Sequence, residues 1–267
     1  MSRELVLSKR MQSVADRVSS GLILADVGCD HGYLSIWLCQ TGRIPSAIAM
    51  DVNEGPLLRA RQNVELYGLQ DRISFRLSDG LTELKSHEVQ SVAIAGMGGM
   101  LIIRILKARP DLLEEISELI LEPQSDAEGV RSFLGEIGFV IVDEDLVLED
   151  GKFYPVIKAV SESDTERENC SRDSETAAGV SADKSTLNGK ITVDTEEDIE
   201  KNISLKFGRI LLMRRHPVLK MYLEKNLDQT KDLIRRLEEK ATEKGLARAE
   251  ELKKEVQYME TALHYYR

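Results

Sequence analysis

A turn rich in glycine and aspartate follows the first apolar run of the chain. Residues 22–27 predict a buried strand, and the sequence DVGCDHG occupies residues 26–32. Asp30 stands where a dinucleotide-binding turn has its middle glycine, and Ser35 replaces the third glycine. A carboxylate repels a pyrophosphate but attracts the positively charged methionine end of S-adenosylmethionine. The turn, including Asp26, therefore predicts an S-adenosylmethionine site, with a capped structural turn as the alternative.

Further aspartates end the second and third predicted strands. Asp51 follows the apolar run at residues 47–50, where a carboxylate can accept hydrogen bonds from both ribose hydroxyls, and Val52 is next in sequence. Asp79 and Gly80 follow the run at residues 73–77, where Asp79 can accept a hydrogen bond from an adenine amine. Each feature taken alone also fits a helix cap or a turn, and those alternatives stay open.

A glycine cluster, AGMGGM, follows the fourth predicted strand at residues 95–100. It lacks the lysine of a phosphate-binding P-loop, but it permits close approach of a flat base to a methyl group. A flexible turn is the alternative. The cluster contributes Ala95 and Gly96 to the predicted cofactor site, and Met97, Gly98 and Gly99 to the predicted substrate site.

Few side chains near these turns could move a proton. Asp30 is the first catalytic candidate and His31 is the second. Cys29 is predicted to be a small packing residue in the cofactor turn, because no base lies at a recognisable spacing from it. Gln124, after the predicted strand at residues 119–121, is expected to bond a base edge. The three cysteines are widely spaced, which predicts neither a disulfide framework nor a metal site.

Apolar runs alternate with helical patterns as far as residue 160. This alternation predicts a doubly wound, Rossmann-like parallel sheet, with residues 139–142 and 154–160 as a closing hairpin. Every motif above then lies at the carboxyl edge of the sheet, where ligands bind in this architecture. Helices are predicted at residues 3–19, 33–39, 56–67 and 127–137, with a further one that ends at Lys107.

Two segments of different character follow. Residues 161–190 are rich in serine, threonine and acidic residues, which predicts a mobile linker or insertion. Residues 217–266 show heptad spacing and predict an antiparallel, coiled-coil-like helical hairpin, with Gly245 capping its first helix. The seam residues are Leu223, Leu227, Thr230, Ile234, Leu237 and Ala241, then Ala249, Leu252, Val256, Met259 and Leu263. The predicted domains are residues 1–160, 161–200 and 201–267.

The charge is distributed unevenly. The net charge is −10, yet residues 201–267 carry +6 while residues 1–160 and 161–200 carry −8 each. Because charges beyond about 10 Å are screened, the local basic patch decides whether a nucleic acid binds. The predicted RNA contacts outside the turns are Lys9, Arg10, Arg214 and Arg215. No stretch approaches the roughly 18 apolar residues of a membrane span or resembles a signal peptide, so we expect a cytoplasmic protein.

Several motifs together resemble the bacterial tRNA (adenine-22-N1)-methyltransferase family, TrmK. The most specific are ADVGCDHGYL at residues 25–34, SDGL at 78–81 and AGMGGMLI at 95–102. LSKRMQSVADRV, LILEPQSDAEGVRSFL and EDGKFYPV also match. The resemblance covers about residues 5–160 and, more loosely, the helical tail. It implies a class I methyltransferase domain followed by a helical domain.

The resemblance also implies roles for residues. Gly28, Asp30 and Gly32 would line the methionine moiety and Asp51 the ribose. Asp79 and Gly80 would flank the adenine, and Gly96 and its neighbours would face the methyl group and target base. The sequence departs from the family pattern at three positions. Ser35 replaces proline, and Glu122 and Gln124 stand where glutamine and asparagine are expected.

The implied reaction is methylation of N1 of an adenosine in tRNA. That nitrogen has a lone pair and no proton, so the enzyme mainly positions the reactants, and a paired base must first be flipped out. Methylation of another RNA, a protein or a small molecule is one alternative, and a non-enzymatic scaffold is another. Gly28, Asp51 and Gly96 argue against a scaffold, because a scaffold has no need of them.

Overall fold

The computed structural model describes residues 5–162, 196–240 and 242–267. From residue 163 onward the predicted linker lies outside these ranges, as does the seam residue Ala241. The predicted division into three domains therefore stays a prediction.

Seven strands form one mixed sheet in the order β3-β2-β1-β4-β5-β7-β6. The strands are β1 (Leu24–Val27), β2 (Ala47–Asp51), β3 (Ile73–Leu77), β4 (Ser91–Met97), β5 (Glu118–Pro123), β6 (Phe139–Glu149) and β7 (Lys152–Ser161). The first five run parallel, whereas β7 lies antiparallel between β5 and β6. This confirms the predicted Rossmann-like sheet. Because the strand order reverses between β1 and β4, a crevice opens at their carboxyl ends.

Helices pack on both faces of the sheet. They are α1 (Lys9–Arg17), α2 (Tyr33–Gln40), α3 (Glu54–Leu66), α4 (Gly99–Lys107), α5 (Pro110–Leu113) and α6 (Ala127–Glu136). Successive strand residues point to opposite faces. Val92 and Ile94 therefore join the core under α4 to α6, whereas Ala93 joins the core under α1 to α3.

Several predicted boundaries were wrong. Helix α1 begins at Lys9, because Ser8 is extended and its hydroxyl accepts a hydrogen bond from the Met11 backbone N–H at 3.3 Å. Strand β4 continues to Met97, which places Gly96 inside the strand at an irregular pairing. The hairpin strands β6 and β7 are also longer than predicted. Asp150 and Gly151 connect them with positive φ angles of 49° and 75°, as a type I′ turn requires.

The carboxyl-terminal part is helical, as predicted. It contains α7 (Glu196–Phe207), α8 (Arg209–Met213), α9 (Pro217–Lys240) and α10 (Glu243–His264). Lys231 pairs with Glu260 at 2.7 Å, and Glu238 pairs with Lys253 at 3.0 Å, so α9 and α10 run antiparallel. Coiled-coil packing of their heptads stays a prediction.

The predicted role of Gly245 was wrong. Helix α9 ends at Lys240, and the Thr242 hydroxyl accepts a hydrogen bond from the Gly245 backbone N–H at 3.2 Å. Gly245 thus lies in the first turn of α10, whose N-cap is Thr242.

The helical part shares a core with the sheet. Leu146 of β6 packs in one cluster with Phe207, Leu211 and Leu219. The buried guanidinium of Arg131 joins the two parts, because Nε contacts Glu144 at 2.8 Å and Nη1 contacts the Leu205 carbonyl at 2.8 Å. In the described ranges, no helix is both long and apolar enough to cross a membrane.

Candidate functional site

A cavity of about 460 Å³ opens at the carboxyl edge of the sheet, where β1, β2, β4 and β5 end. Helix α1 closes one side of it. The cavity brings together most of the predicted site residues. They are the cofactor candidates Asp26, Gly28, Cys29, Asp30, Asp51, Ala95 and Gly96, the catalytic candidate His31, and the substrate candidates Arg10, Met97 and Gln124.

A smaller compartment of about 100 Å³ adjoins this cavity. Gly28, Asp51 and Met97 line both spaces, so the two form one groove along the ends of β4, β1, β2 and β3. The smaller compartment contains the remaining cofactor candidates that follow β2 and β3. These are Val52, Asp79 and Gly80.

Other predicted residues do not line the groove. A Cβ atom on Gly32 would lie 3.2 Å from the Ala60 side chain, so this glycine allows the turn to pack on α3. Gly98 and Gly99 pack against residues 125–126. Lys9 lies on the exposed side of α1, and Arg214 and Arg215 are exposed in the turn before α9.

Gly28 leaves room for the Met97 side chain between the two compartments. Its φ angle is +76°, and a Cβ atom there would lie 2.3 Å from Met97 Cε. The Gly28 and Cys29 backbone N–H groups donate to the Met50 carbonyl at 2.8 and 3.1 Å, which holds the turn against β2. Any larger residue would intrude on Met97, so the turn forms a close cradle for a ligand.

Asp26 is a carboxylate almost hidden at the base of the cavity. It is 6% exposed, and it accepts a hydrogen bond from Ser35 Oγ at 2.7 Å. Burial raises the pKa of Asp26 to about 6, although the Ser35 hydroxyl opposes that rise. The Ser35 hydroxyl, in the first turn of α2, therefore orients the Asp26 carboxylate. A cation in the cavity would favour the ionised form.

Asp51 ends β2 and is half-buried, whereas Asp30 and Asp79 are exposed around the groove. Asp51 accepts a hydrogen bond from the Asn53 backbone N–H at 2.8 Å. Arg59 contacts Asp30 at 2.9 Å, and Arg104 lies 3.7 Å from Asp79. These arginine pairs are well exposed, so a polar ligand can replace them at small cost.

Aromatic rings stand at the mouth of the cavity. His31 and Tyr33 stack with ring centroids 5.4 Å apart, and His31 adopts a left-handed φ of 64°. Tyr33 is 40% exposed and lines the cavity, although the sequence analysis did not single it out. Cys29 is buried, which raises the pKa of its thiol well above the usual range. This thiol stays protonated and therefore suits packing rather than nucleophilic attack.

Glu122 is the main feature that the sequence analysis undervalued. Its side chain is fully buried at the end of β5, and its Oε2 accepts hydrogen bonds from the Gly96 backbone N–H at 2.6 Å and from Arg10 Nη1 at 2.7 Å. Burial raises the pKa of Glu122, while Arg10 acts in the opposite direction. Within the described parts of the chain, its Oε1 has no hydrogen-bond partner.

The loops that follow β4 and β5 are joined through their backbones. The Gln124 N–H donates to the Met97 carbonyl at 2.8 Å, and the Gly99 N–H donates to the Ser125 carbonyl at 2.9 Å. A Cβ atom on Gly96 would lie 3.6 Å from Arg10 Nη1 and 3.8 Å from Gln124 Nε2. Arg10 and Gln124 therefore flank the bare backbone of Gly96. Among the described residues, no cluster of three or more His, Cys, Asp or Glu side chains could hold a metal ion.

Comparison with known proteins agrees with this architecture. The model of a family described as "Methyltransferase domain" matches residues 7–157. The Bacillus subtilis (strain 168) tRNA (adenine(22)-N(1))-methyltransferase is 42% identical over 156 residues, which are 58% of this chain and 66% of that protein. This alignment thus covers slightly less than two thirds of the relative.

The solved structures extend the match to the helical part. The crystal structure of the B. subtilis M1A22 tRNA methyltransferase TrmK has a TM-score of 0.76 and 30% identity, covering 97% of this chain and 100% of that one. The chain belongs to the tRNA (adenine-22-N1)-methyltransferase family. Another similar structure is Streptococcus pneumoniae Sp1610 in complex with S-adenosyl-L-methionine, with a TM-score of 0.75, 32% identity and the same coverage. Membership of the tRNA (adenine-22-N1)-methyltransferase family confirms the resemblance predicted from the motifs.

Proposed function

We infer that this chain transfers a methyl group from S-adenosylmethionine to N1 of an adenosine in tRNA. The observation that carries this inference is the groove. Four aspartates and a glycine turn line it at the carboxyl edge of a methyltransferase sheet, and Arg10, paired with the buried Glu122, lines its other part. The choice of adenosine 22 rests on the tRNA methyltransferase relatives. We propose that the protein acts in the cytoplasm, on its tRNA substrate.

The residues of the groove fit S-adenosylmethionine chemically. Asp26 and Asp30 supply negative charge for its ammonium and sulfonium groups, whereas a pyrophosphate would be repelled there. Asp51 offers its carboxylate to the ribose hydroxyls. Asp79 and Gly80 flank the smaller compartment, which suits the adenine ring. When bound, S-adenosylmethionine supplies an activated methyl group for in-line transfer.

The part of the cavity near Gly96 suits the target base. Arg10 and Gln124 flank Gly96, and Tyr33 offers a ring face at the mouth. Because N1 of adenine carries no proton, these residues need only hold the base with its lone pair directed at the methyl group. Such orientation contributes about 7–11 kcal/mol in well-aligned reactions. A paired adenosine must leave its helix to reach this depth.

Methylation at N1 leaves a positive charge on the adenine ring. A carboxylate close to the ring stabilises that charge, or accepts a proton from the amino group. Asp30 is the proposed group and His31 the second candidate, because both line the cavity beside Gly28. The Asp30→Asn variant tests this role. Full turnover with normal S-adenosylmethionine affinity would show that Asp30 is not catalytic.

A basic surface near the cavity supports RNA as the substrate. Arg17 of α1 and Arg214 both contact Asp143 of β6. His216 and Ser13 similarly meet at Asp145, and their hydrogen bonds lower the pKa of that carboxyl. Helix α1 and the turn before α9 therefore lie side by side. Lys9 and Arg215 are exposed, so both can contact phosphates.

A methyl-transfer assay tests the proposed function. The protein is incubated with labelled S-adenosylmethionine and unmodified tRNA, and the nucleosides are then identified by mass spectrometry. We expect 1-methyladenosine, and we expect none from a tRNA in which adenosine 22 is replaced by guanosine. Cofactor binding without transfer to any RNA would contradict the substrate, whereas N6-methyladenosine would contradict the target atom.

A further inference from the structure

A second groove lies where the sheet meets the helical part. Its volume is about 400 Å³, and it lies among the loop after β5, the β6–β7 hairpin and helices α7 to α9. Gln124 lines both this groove and the candidate active site. The two spaces are therefore neighbours.

Apolar and aromatic side chains form one part of the lining, beside polar residues such as Ser125 and Arg131. Leu146, Leu211 and Leu219 form part of its lining. Phe153 and Tyr222 meet edge to face, with ring centroids 5.2 Å apart and an angle of 81° between the rings. Both rings are only half-buried. The Tyr222 hydroxyl has no hydrogen-bond partner among the residues that the structure describes.

The charges around the groove have opposite signs on its two sides. Lys206 lines it, and Lys225 Nζ lies 5.4 Å from the centre of the Phe153 ring. Asp126 and Glu128 lie on the β5 side, where Asp126 accepts a hydrogen bond from the Gly129 N–H and caps α6. A phosphate is repelled on that side and attracted by the lysines. The interior thus suits an uncharged, flat group whose phosphate stays near the lysines.

We propose that this groove binds a nucleobase next to the target adenosine in the substrate RNA, stacked against Phe153 and Tyr222. This proposal rests on the proposed function. A base beside an extruded adenosine loses a stacking partner, and aromatic side chains replace such stacking without sequence preference. Gln124 then lies between the two bases. The helical part would in this way select RNA in which two neighbouring bases can leave the helix.

The test combines a protein variant with an altered RNA. Two tRNA transcripts each lack one base, immediately before or after the target adenosine. For the wild-type protein, we expect one of these abasic RNAs to raise KM about tenfold, as is typical for the loss of one base–aromatic stack. Tyr222→Leu should raise KM for intact RNA by a similar factor. The same abasic RNA should then cause no further rise in the variant, because the contact is already lost.

Two variants serve as controls, and S-adenosylmethionine affinity reports the state of the first groove. Tyr222→Phe retains the ring, so the abasic RNA should still raise KM in this variant, unlike in Tyr222→Leu. Met221→Leu changes an exposed side chain on the same helix and should also have no effect. The proposal is wrong if neither abasic RNA changes KM in the wild-type protein. It is also wrong if the abasic RNA raises KM by the same factor in Tyr222→Leu as in the wild-type protein. Failure of the wild-type protein to methylate any RNA would instead remove the proposed function, and this proposal with it.

Discussion

The two halves of the active-site groove hold their carboxylates in different ways. The cofactor half, residues 26–32, 51–52 and 79–80, presents Asp30 and Asp79 on exposed turns, whereas Asp51 is half-buried and Asp26 is buried. In the acceptor half, Arg10 with residues 95–99 and 122–126, the carboxylate beside Gly96 is Glu122, which is hidden beneath the strand ends. In the first half, exposed side chains can contact the ligand. In the second half, the buried Glu122 carboxylate holds the Gly96 backbone and the Arg10 side chain in place.

This difference determines which property a mutation should change. Alterations in the cofactor half should appear in the affinity for S-adenosylmethionine, except at Asp30 and His31, where the proposed catalytic role also predicts slower transfer. Alterations in the acceptor half should appear in the rate of transfer to RNA, with cofactor affinity preserved. The predictions below test this separation, in order of decreasing effect.

Gly99→Ala should cause the largest loss of transfer. Its Cβ atom would lie 2.6 Å from the backbone oxygens of Ser125 and Asp126, which cannot yield as a flexible side chain does. The loop that carries Gln124 must therefore shift, and a displacement of about 1 Å can reduce kcat about 100-fold. Single-turnover assays measure the rate of methyl transfer, and cofactor titrations measure the affinity for S-adenosylmethionine. Gly135→Ala is the control, because its Cβ atom meets nothing within 4 Å.

Gly28→Ala should instead weaken the binding of S-adenosylmethionine. The new methyl group pushes Met97 within the groove, at a cost of about 1–3 kcal/mol, which corresponds to roughly tenfold to hundredfold weaker S-adenosylmethionine binding. Gly21→Ala places alanine at a similarly positive φ in open space. It should leave the affinity unchanged as measured by calorimetry. Equal effects of both substitutions would mean that backbone strain, and not obstruction, is responsible.

Glu122→Gln should reduce transfer about tenfold, as expected for loss of a charge-assisted hydrogen bond. The amide preserves the shape of the side chain but removes the charge that fixes Arg10. Glu118→Gln is the matched control, because Glu118 is a buried carboxylate at the opposite end of β5, paired with Lys158 at 2.9 Å. It should lower stability without a specific loss of transfer. Equal losses in both variants would contradict a positioning role for Glu122.

Asp26→Asn should change how stability depends on pH. Because burial raises the pKa of Asp26 to about 6, its favourable contribution is complete below pH 4 and disappears as the pH rises through 6. The variant should therefore gain about 1–3 kcal/mol relative to wild type between pH 4.5 and 7.5. Urea unfolding without cofactor measures this. A difference in unfolding free energy that does not vary with pH would show that burial does not raise the pKa of Asp26.

Arg215→Ala should have the smallest effect. Removing one phosphate contact should weaken tRNA binding about threefold and make its dependence on salt slightly shallower. Filter binding at several salt concentrations measures both quantities. Arg248→Ala, on α10 and paired with Glu251 at 2.6 Å, is the control. If the wild-type protein bound tRNA with the same affinity at low and physiological salt, the proposed role of the basic surface in tRNA binding would be wrong.

The cofactor half could be predicted from the sequence because each of its parts is local. A buried strand followed by DVGCDHG is visible within a few residues, and the same holds for Asp51 and Asp79. The parallel order of the strands then brings these turns to one edge. Gly32 shows the limit of this reasoning. It belongs to the motif, but it does not line the groove. Its lack of a side chain instead lets the turn pack on Ala60.

The acceptor half could be predicted only in part, because it is assembled from distant segments. Arg10 and Glu122 are separated by 112 positions, and no periodic pattern links them. One signal was available, since a glutamate inside the apolar run LILEP must have a buried partner. The length of the hairpin was likewise encoded in the Asp150-Gly151 turn. Gly245 was misassigned because Thr242, three residues earlier, is the stronger N-cap.

A crystal structure with S-adenosylhomocysteine tests the division of the groove most directly. We predict that the adenine occupies the small compartment beside Asp79 and Gly80, and that the ribose hydroxyls contact Asp51. The space between Arg10, Gly96 and Gln124 should stay open for the target base. An adenine ring bound between Arg10 and Gln124 would contradict this division, because the two halves would then have exchanged their roles.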